Sequence, residues 1–502
     1  MVVQSVMFQG TASDSGKSWM AAAVCRLLTN QGKKVAPFKS QNMALNSFIT
    51  DQGDEMGRAQ VYQAEAARVK PDVRMNPILL KPSTDQDSQV IVMGKVLADM
   101  DAASYYKFKP QLIPDIKKAY QGLAIENDAI ILEGAGSPAE INLNENDIVN
   151  MGMARMAAAP VILVADIDKG GVFASIYGTI KLLAKEDQQR IKGIIINKFR
   201  GDKTLLEPGN KMIEKLTGVP VIGVLPMSDV DIDEEDSVSL VRKPRQKNPA
   251  KALDVAVVDL NKISNFTDIH SLKIQPDVSV RYVLKAEELG TPDLLILPGS
   301  KNTNEDLASL KRNGLAKAII HAHADGSVVI GICGGYQILG RTLRDPNGIE
   351  SPIKEQTGLG LLDTETIFNE RKTTTQATAK RKNYVLKGYE IHMGATKLGP
   401  NTTPFSIIQE TNGEAEQRED GAVNADETVI GTYLHGIFDN PYWTRHLLNR
   451  LRVAKGLAPL VNTMVSISEY KDQQYEKLAK LFEENVDMKK FSQILQDSTR
   501  DD

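Results

Sequence analysis

Gly10-Thr11-Ala12-Ser13-Asp14-Ser15-Gly16-Lys17-Ser18 follows an apolar run, Val2–Gln9, and leads into the helical stretch Trp19–Leu28. A strand, a glycine-bearing turn ending in Gly-Lys-Ser and then a helix is the context of a phosphate-cradling loop. Glycines let the backbone approach phosphate oxygens, successive N–H groups point inward, and the helix N-terminus adds partial positive charge. Five residues separate Gly10 from Gly16, one more than in the commonest loop of this kind, and the physics is unchanged. Gly10, Thr11, Ser15, Gly16, Lys17 and Ser18 are therefore the nucleotide-binding candidates. Lys17 is expected to bridge the β and γ phosphates, and the Ser18 hydroxyl to reach Mg²⁺.

Such a loop belongs to an open α/β sheet, and the chain around it has that texture. Val2–Gln9, Lys34–Lys39, Ala129–Glu133, Pro160–Asp166, Gly193–Lys198 and Pro220–Leu225 are short apolar runs with helical stretches between them. Buried parallel strands covered on both faces read this way. Past residue 228 the chain turns acidic (Asp229–Asp236), then basic with Pro244 and Pro249 (Arg242–Lys251). The pattern predicts an exposed linker over 229–252 between a first domain, 1–228, and a second, 253–442. In the second, strand patterns recur at Leu253–Leu260, Val278–Leu284, Leu294–Leu297, Val328–Ile332, Tyr389–Met393 and Val429–Leu434. The remainder, 443–502, reads as a helical extension, with Tyr475, Leu478, Leu481, Phe482 and Val486 forming a stripe that faces a core.

Bulk properties narrow the function. A chain of 502 residues is too long for one core. A net charge of −4 gives no basic excess for nucleic acid. No apolar run reaches the roughly 18–20 residues needed to span a bilayer, and the first residues lack the charge pattern of a signal peptide. Two cysteines, Cys25 and Cys333, exclude a disulfide framework and fit a reducing cytoplasm. A cytoplasmic enzyme with no nucleic-acid and no membrane partner is expected.

Two further positions carry chemistry. Glu133 ends an apolar strand in Ile130-Ile131-Leu132-Glu133-Gly134-Ala135-Gly136, where a carboxylate at the sheet crevice suits a metal ion. Cys333, in Gly331-Ile332-Cys333-Gly334-Gly335, sits between a strand and the helix of Tyr336–Arg341, the setting of a nucleophile elbow. A helix N-terminus there favours the thiolate. Cys25, on the helix after the phosphate loop, reads as inert core. Among six histidines, His435 ends a late strand of the same domain and is the candidate base. His392, in Gly388-Tyr389-Glu390-Ile391-His392-Met393-Gly394, is its competitor; His270, His321, His323 and His446 lie in less constrained contexts.

The loop spacing with Glu-Gly-Ala-Gly resembles the dethiobiotin-synthetase branch of phosphate-loop proteins, which implies transfer of a γ-phosphoryl group from ATP to a carboxylate. The Cys333 elbow and the late histidine resemble triad-type (class I) glutamine amidotransferases. That resemblance implies a glutamyl thioester on Cys333, release of ammonia, and an oxyanion hole from the backbone N–H groups at Gly299, Ser300 and Gly334, with Pro298-Gly299-Ser300 as the glycine loop. One departure stands out. The family places a glutamate two residues after the histidine, and here that position is Ile437. His435 must be oriented from elsewhere, or the pair is slow without a partner domain.

A phosphate-loop domain followed by an amidotransferase domain lacking that glutamate resembles the amidases of cobalamin biosynthesis. Pro37–Met43, Met56–Gln60, Asn76–Pro82, Ile263–Asp268 and Tyr389–Gly394 carry the likeness, which covers roughly Gln9 to Phe438. It implies amidation of the b, d, e and g carboxylates of adenosylcobyrinic acid a,c-diamide, with one glutamine and one ATP consumed each time. Gln41, Asn42 and Gln60 then suit amides and carboxylates on one ring. Lys39, Arg58 and Lys81 suit the remaining carboxylates or the transferred phosphate, although each serves equally well as a surface charge. Glu55 suits metal or substrate. Amidation of the a and c carboxylates, or of another carboxylic acid by the same architecture, is the alternative. A partitioning-type ATPase would carry a lysine where this chain has Thr11.

Overall fold

The structure, a computed structural model, describes residues 3–82, 87–232, 244–461 and 464–497. The chain divides into two compact units, one of Met1–Met43, Met56–Asp233 and Lys471–Asp502, the other of Ala44–Glu55 and Glu234–Tyr470.

The first unit is built on β1 (Gln4–Gly10), β2 (Val35–Phe38), β3 (Ala129–Glu133), β4 (Val161–Asp166), β5 (Ile191–Phe199) and β6 (Val221–Pro226). They form one six-stranded sheet in the order β6-β5-β4-β1-β3-β2, and every pairing is parallel. Parallel strands are buried on both faces, which is why these segments are continuous rather than alternating apolar runs. Helix α1 (Lys17–Asn30) follows β1, and α2 (Arg58–Ala66) packs beside it. A smaller four-stranded sheet, Gln41–Met43, Ile78–Pro82, Asp87–Val92 and Lys95–Asp101, has no counterpart in the predicted strands. Gln41–Met43 and Lys95–Asp101 are polar or mixed, and the apolar runs Ile78–Leu80 and Val90–Val92 are only three residues long, too short to mark a strand by periodicity.

The second unit carries β7 (Leu253–Val258), β8 (Val278–Val283), β9 (Leu294–Leu297), β10 (Val328–Ile332), α3 (Gly334–Leu339), β11 (Thr364–Arg381), β12 (Tyr384–Leu398), β13 (Ala422–Asn424) and β14 (Val429–Thr432). Its main sheet has the order β8-β7-β9-β10-β14-β13, with Thr402–Thr403 at the far edge. The first five strands are parallel. Tyr389–Met393 is a strand, as its pattern predicts, but it lies outside this sheet. It belongs to β12, which pairs antiparallel with β11 in a long ribbon.

The C-terminal segment is not one extension. Helix α4 (Pro441–Ala454) buries Trp443, Leu447, Leu448 and Leu451 in the core of the second unit. Helices α5 (Ile467–Asn485) and α6 (Met488–Asp497) return to the first. There Tyr475, Leu478, Phe482, Val486, Phe491 and Ile494 join the core beneath β1 and α1, so the apolar stripe faces a core. Arg26 of α1, fully buried, is held by Asp472 at 2.6 Å and Glu476 at 3.2 Å from α5. The first core also extends past residue 228, taking in Val230 and Ile232, while 233–243 of the expected linker lie outside the described residues. No described helix is long and apolar enough to cross a membrane.

Candidate active sites

In the first unit the phosphate loop connects the C-terminal end of β1 to α1. Gly16 adopts φ +102°, a conformation that L side chains rarely reach. A Cβ on Gly10 would lie 2.8 Å from the Ala12 carbonyl oxygen and 2.9 Å from Lys17 Nζ, so the turn closes only around glycine. Lys17 folds back over the loop and donates to the carbonyls of Ala12 at 2.9 Å and Gly136 at 3.1 Å. Thr11 donates its N–H to the Val164 carbonyl at 3.0 Å. From β5, Asn197 donates to the Ser15 carbonyl at 3.0 Å and Lys198 to that of Asp14 at 2.6 Å.

Glu133 lies at the centre of the arrangement, at the end of β3 next to β1, and is fully buried. Its Oε1 accepts from Ser18 Oγ at 2.8 Å and from Lys39 Nζ at 2.8 Å, and its Oε2 from Gln63 Nε2 at 2.5 Å. Ser18 and Glu133, the two metal candidates, thus present adjacent oxygens beside the loop. Ser15 Oγ is buried and has no hydrogen-bond partner among the described residues. A buried hydroxyl left without a partner in a cradle of backbone N–H groups fits a phosphate group as acceptor. The Ser18–Glu133 oxygens fit a Mg²⁺ ion that completes its shell with phosphate and water. Cys25 is fully buried, and that burial, with Glu133 adding to it, pushes its thiol pKa well up; it is inert core.

The expected substrate contacts divide. Lys39, just after β2, is drawn to Glu133 and so to the phosphate site. Gln41 accepts from Tyr105 Oη at 2.6 Å, and Asn42 donates to Gln60 Oε1 at 3.3 Å. Gln60 Nε2 is buried and has no hydrogen-bond partner among the described residues. Arg58 opens the helix that carries Gln60, and Lys81 lies on the strand that pairs with Gln41–Met43. Gln63 and Asn197 join the site without a sign in the sequence. One is mid-helix and the other mid-strand, and neither falls in a motif.

In the second unit the chemistry gathers at the C-terminal edge of the parallel sheet. Cys333 follows β10 and has φ +52° and ψ −110°, the strained backbone of an elbow that holds a nucleophile at the start of a helix. A Cβ on Gly334 would come within 2.9 Å of the Ser300 backbone nitrogen, so the Gly299–Ser300 loop lies against the elbow. A Cβ on Gly299 would lie 3.2 Å from His435 Cε1, which puts the same loop against the imidazole. Cys333, His435 and the three expected oxyanion-hole residues therefore converge. Cys333 Sγ donates to the Ile391 carbonyl at 3.4 Å.

His435 is fully buried, and its orientation comes from Asp268. Nδ1 lies 2.7 Å from Asp268 Oδ2, while Asp268 Oδ1 accepts the Gly436 N–H at 2.8 Å. The ring stacks on Tyr389, with centroids 5.1 Å apart and planes at 15°. Burial works against an imidazolium here, but the Asp268 carboxylate with its hydrogen bond, assisted by Cys333, outweighs it and raises the pKa to about 10. His435 Nε2 makes no hydrogen bond of regular geometry, yet the sulfur is close enough to act on its charge. Contacts of this kind commonly tighten when substrate is bound.

His392 is the other strand histidine, and burial drives its pKa down to about 4, with Glu390 opposing. Its Nδ1 is engaged by the Gly394 carbonyl at 2.8 Å and its ring stacks on Tyr433. It is neutral and has no carboxylate hydrogen bond to orient it, so the geometry favours His435. Glu55 is paired with Lys372 at 2.6 Å. Asp268 ends the segment Ile263–Asp268, and nothing local in the sequence marks it as the partner of the histidine. Its signal was faint: an acidic residue 167 positions upstream, in a loop that leaves the neighbouring region of the sheet.

A parallel sheet with a phosphate loop, and a second with a cysteine elbow, a carboxylate-oriented histidine and an oxyanion loop, define a nucleotide-binding unit combined with a glutamine amidotransferase unit. Comparison with known proteins agrees. Residues 6–239 match the CobQ/CobB/MinD/ParA nucleotide binding domain, and residues 254–443 match the CobB/CobQ-like glutamine amidotransferase domain. Over its whole length and that of the relative, the chain is 81% identical to the cobyric acid synthase of Limosilactobacillus reuteri (strain DSM 20016). It is 60% identical to that of Streptococcus sanguinis over 98% of this chain and 99% of the relative, and 58% to that of Listeria innocua over 98% and 97%. The chain belongs to the cobyric acid synthase family.

Proposed function

We propose that the chain amidates the b, d, e and g carboxylates of adenosylcobyrinic acid a,c-diamide, giving adenosylcobyric acid at the cost of one glutamine and one ATP per amide. The observation that carries this reading is the presence of both half-sites, each with its reacting groups converged, in a chain alike end to end with cobyric acid synthases.

In the amidotransferase unit, the Cys333 thiolate attacks the carboxamide carbon of glutamine. The oxyanion that forms faces the backbone N–H groups of Gly299, Ser300 and Gly334. His435, held as an imidazolium by Asp268, gives its proton to the departing nitrogen, so ammonia leaves and the γ-glutamyl thioester remains. Water, deprotonated by the now neutral His435, attacks the thioester and releases glutamate with the thiolate restored. In the nucleotide unit, a substrate carboxylate oxygen attacks the γ-phosphorus of ATP, and the bond to the β-bridging oxygen breaks, giving ADP and an acyl phosphate. Ammonia then attacks the acyl carbon, phosphate leaves with the bonding pair, and the surplus proton on nitrogen passes to the departing phosphate, leaving the neutral amide. Lys17 and the loop N–H groups hold the phosphates in line. Lys39, at Glu133, is placed to balance charge on the transferred group. Ser18 and Glu133 would hold Mg²⁺, which when bound neutralises charge on the phosphates.

The test is mass spectrometry of the diamide after incubation with enzyme, Mg-ATP and glutamine. Four successive replacements of a carboxyl OH by NH₂ in the corrin support the reading. An unchanged corrin beside active glutamine hydrolysis overturns it.

A further inference from the structure

The segment Ala44–Glu55 lies in the sequence of the nucleotide half but packs in the amidotransferase unit. Two buried asparagines fasten it. Asn46 Oδ1 accepts the Phe266 N–H at 3.3 Å, and Asn265 Oδ1 accepts the Ser47 N–H at 3.1 Å. This reciprocal clamp holds Asn265, itself at φ +52°, and thereby the turn Phe266–Ile269 that presents Asp268 to His435.

The same segment braces the opposite side of the dyad. Ile49 forms a small apolar cluster with Tyr389 and Ile391, and Phe48 packs against it, its ring 5.6 Å from that of Tyr389. Tyr389 is the residue stacked on His435, and the Ile391 carbonyl is the one that accepts Cys333 Sγ–H. Gln376 donates to the Ile49 carbonyl and Thr374 to that of Gly53, so the segment is fixed along the β11–β12 ribbon as well. One twelve-residue stretch thus touches the support of the carboxylate, the imidazole and the thiol.

We propose that Ala44–Glu55 is a positioning arm for the glutaminase dyad, and that a corrin acid bound at its two flanks sets the arm and so turns glutamine hydrolysis on. The second clause rests on the function proposed above. The flanks are Lys39–Asn42 on one side and Arg58–Gln60 on the other, the polar residues expected to hold the substrate carboxylates and amides. Both run into the arm without a linker: Asn42 stands four residues before Asn46, so a shift of that flank reaches the clamp directly, while Arg58 follows Phe48 by ten residues and acts through the far end of the arm. Ammonia made without an acceptor is lost to protonation in water, which gives such a dependence its purpose.

The experiment uses full-length Asn46→Ala and Phe48→Ala, with Phe48→Leu as the conservative control. Glutamate release is measured with and without adenosylcobyrinic acid a,c-diamide plus Mg-ATP, alongside amidation driven by ammonium chloride. Displacement of a dyad by a fraction of an ångström should lower the kcat of glutamine hydrolysis roughly ten- to a hundredfold, with KM for glutamine held within about twofold. The stimulation by diamide and Mg-ATP should fall towards none, ammonium-driven amidation should stay at the wild-type rate, and Phe48→Leu should recover most of the loss. Unchanged kcat in both alanine variants overturns the proposal, as does an equal fall of the glutamine- and ammonium-driven reactions, since that is the mark of general damage. If wild-type enzyme does not amidate the diamide with ammonium, the substrate assignment fails, while kcat for glutamine hydrolysis still decides the arm.

Discussion

Replacing Asp268 by asparagine removes one charge from the amidotransferase site with almost no change of volume. Asp268 is buried, and its two oxygens hold His435 Nδ1 at 2.7 Å and the Gly436 N–H at 2.8 Å. The carboxylate accepts from Nδ1, which leaves Nε2 as the nitrogen that exchanges a proton with sulfur and with the leaving group. An asparagine amide can instead donate to Nδ1, favouring the tautomer with its proton on Nε2, where a base is needed. The charge matters more. His435 is raised from 6.5 to about 10 against the cost of burial, a preference for the imidazolium of roughly 5 kcal/mol that rests chiefly on Asp268. Without that partner, burial dominates and the ring is neutral near pH 7. Loss of the orienting carboxylate in a serine triad costs about 10⁴ in kcat, and a thiol, which ionises more readily than a hydroxyl, should lose roughly 10²–10⁴.

The assay is steady-state glutamate release across pH, with ammonium-driven amidation as control. Asp268→Asn should lower kcat by that factor, bring the alkaline fall of the residual rate to lower pH, and leave the ammonium reaction intact. Stability carries the same signature. Because the folded pKa of His435 exceeds the unfolded one, its contribution is complete below about pH 6.5 and is lost as pH rises through about 10. Denaturant titrations should show wild type losing stability over that window and Asp268→Asn losing less. A variant with glutaminase activity within threefold of wild type would refute the assignment of Asp268 as the orienting group.

Cys333→Ala should abolish glutamine-driven amidation and leave the ammonium-driven reaction at its original rate, read by mass spectrometry of the corrin. Glu133→Gln keeps the hydrogen-bonding shape around Ser18, Lys39 and Gln63 but removes the charge, so both glutamine- and ammonium-driven amidation should fall at least about a hundredfold, with a raised Mg²⁺ requirement in kinetic titrations. Phe482→Ala empties a fully buried site against Phe8 and Phe491 and should cost about 3–5 kcal/mol of stability in the nucleotide unit, visible in chemical denaturation and reduced by ATP.

The parts of this chain that could be read in sequence are those where one local pattern determines one local structure. The buried parallel strands are apolar from end to end, so all six strands of the first sheet were visible. The phosphate loop and the cysteine elbow were visible because glycine spacing reports backbone conformation directly. Partnerships across long stretches of chain were not. Asp268 gives no local sign that it faces a histidine, and Asn46 none that it clamps Asn265. The C-terminal stripe announced a buried face but not which core would bury it. Periodicity gives the width of an apolar face and says nothing of its partner.

The missing glutamate shows how a site can keep its chemistry while its parts move along the chain. In the second sheet, β7, β9, β10 and β14 are neighbours in that order and run parallel. The loops leaving their C-terminal ends deliver, in the same order, Asp268, Gly299 with Ser300, Cys333 and His435. The sheet therefore fixes the spacing of all four contributions before any side chain is chosen. A carboxylate two residues after the histidine would come from the same loop as the imidazole it orients. Here that position holds Ile437, fully buried, and packing replaces charge. The carboxylate comes instead from the β7 loop, which the Asn265–Asn46 clamp ties to the Ala44–Glu55 arm. An orienting group on the histidine's own loop would be set permanently. One on a loop held by another segment is only as well placed as that segment, and this makes glutamine hydrolysis open to control by whatever positions the arm.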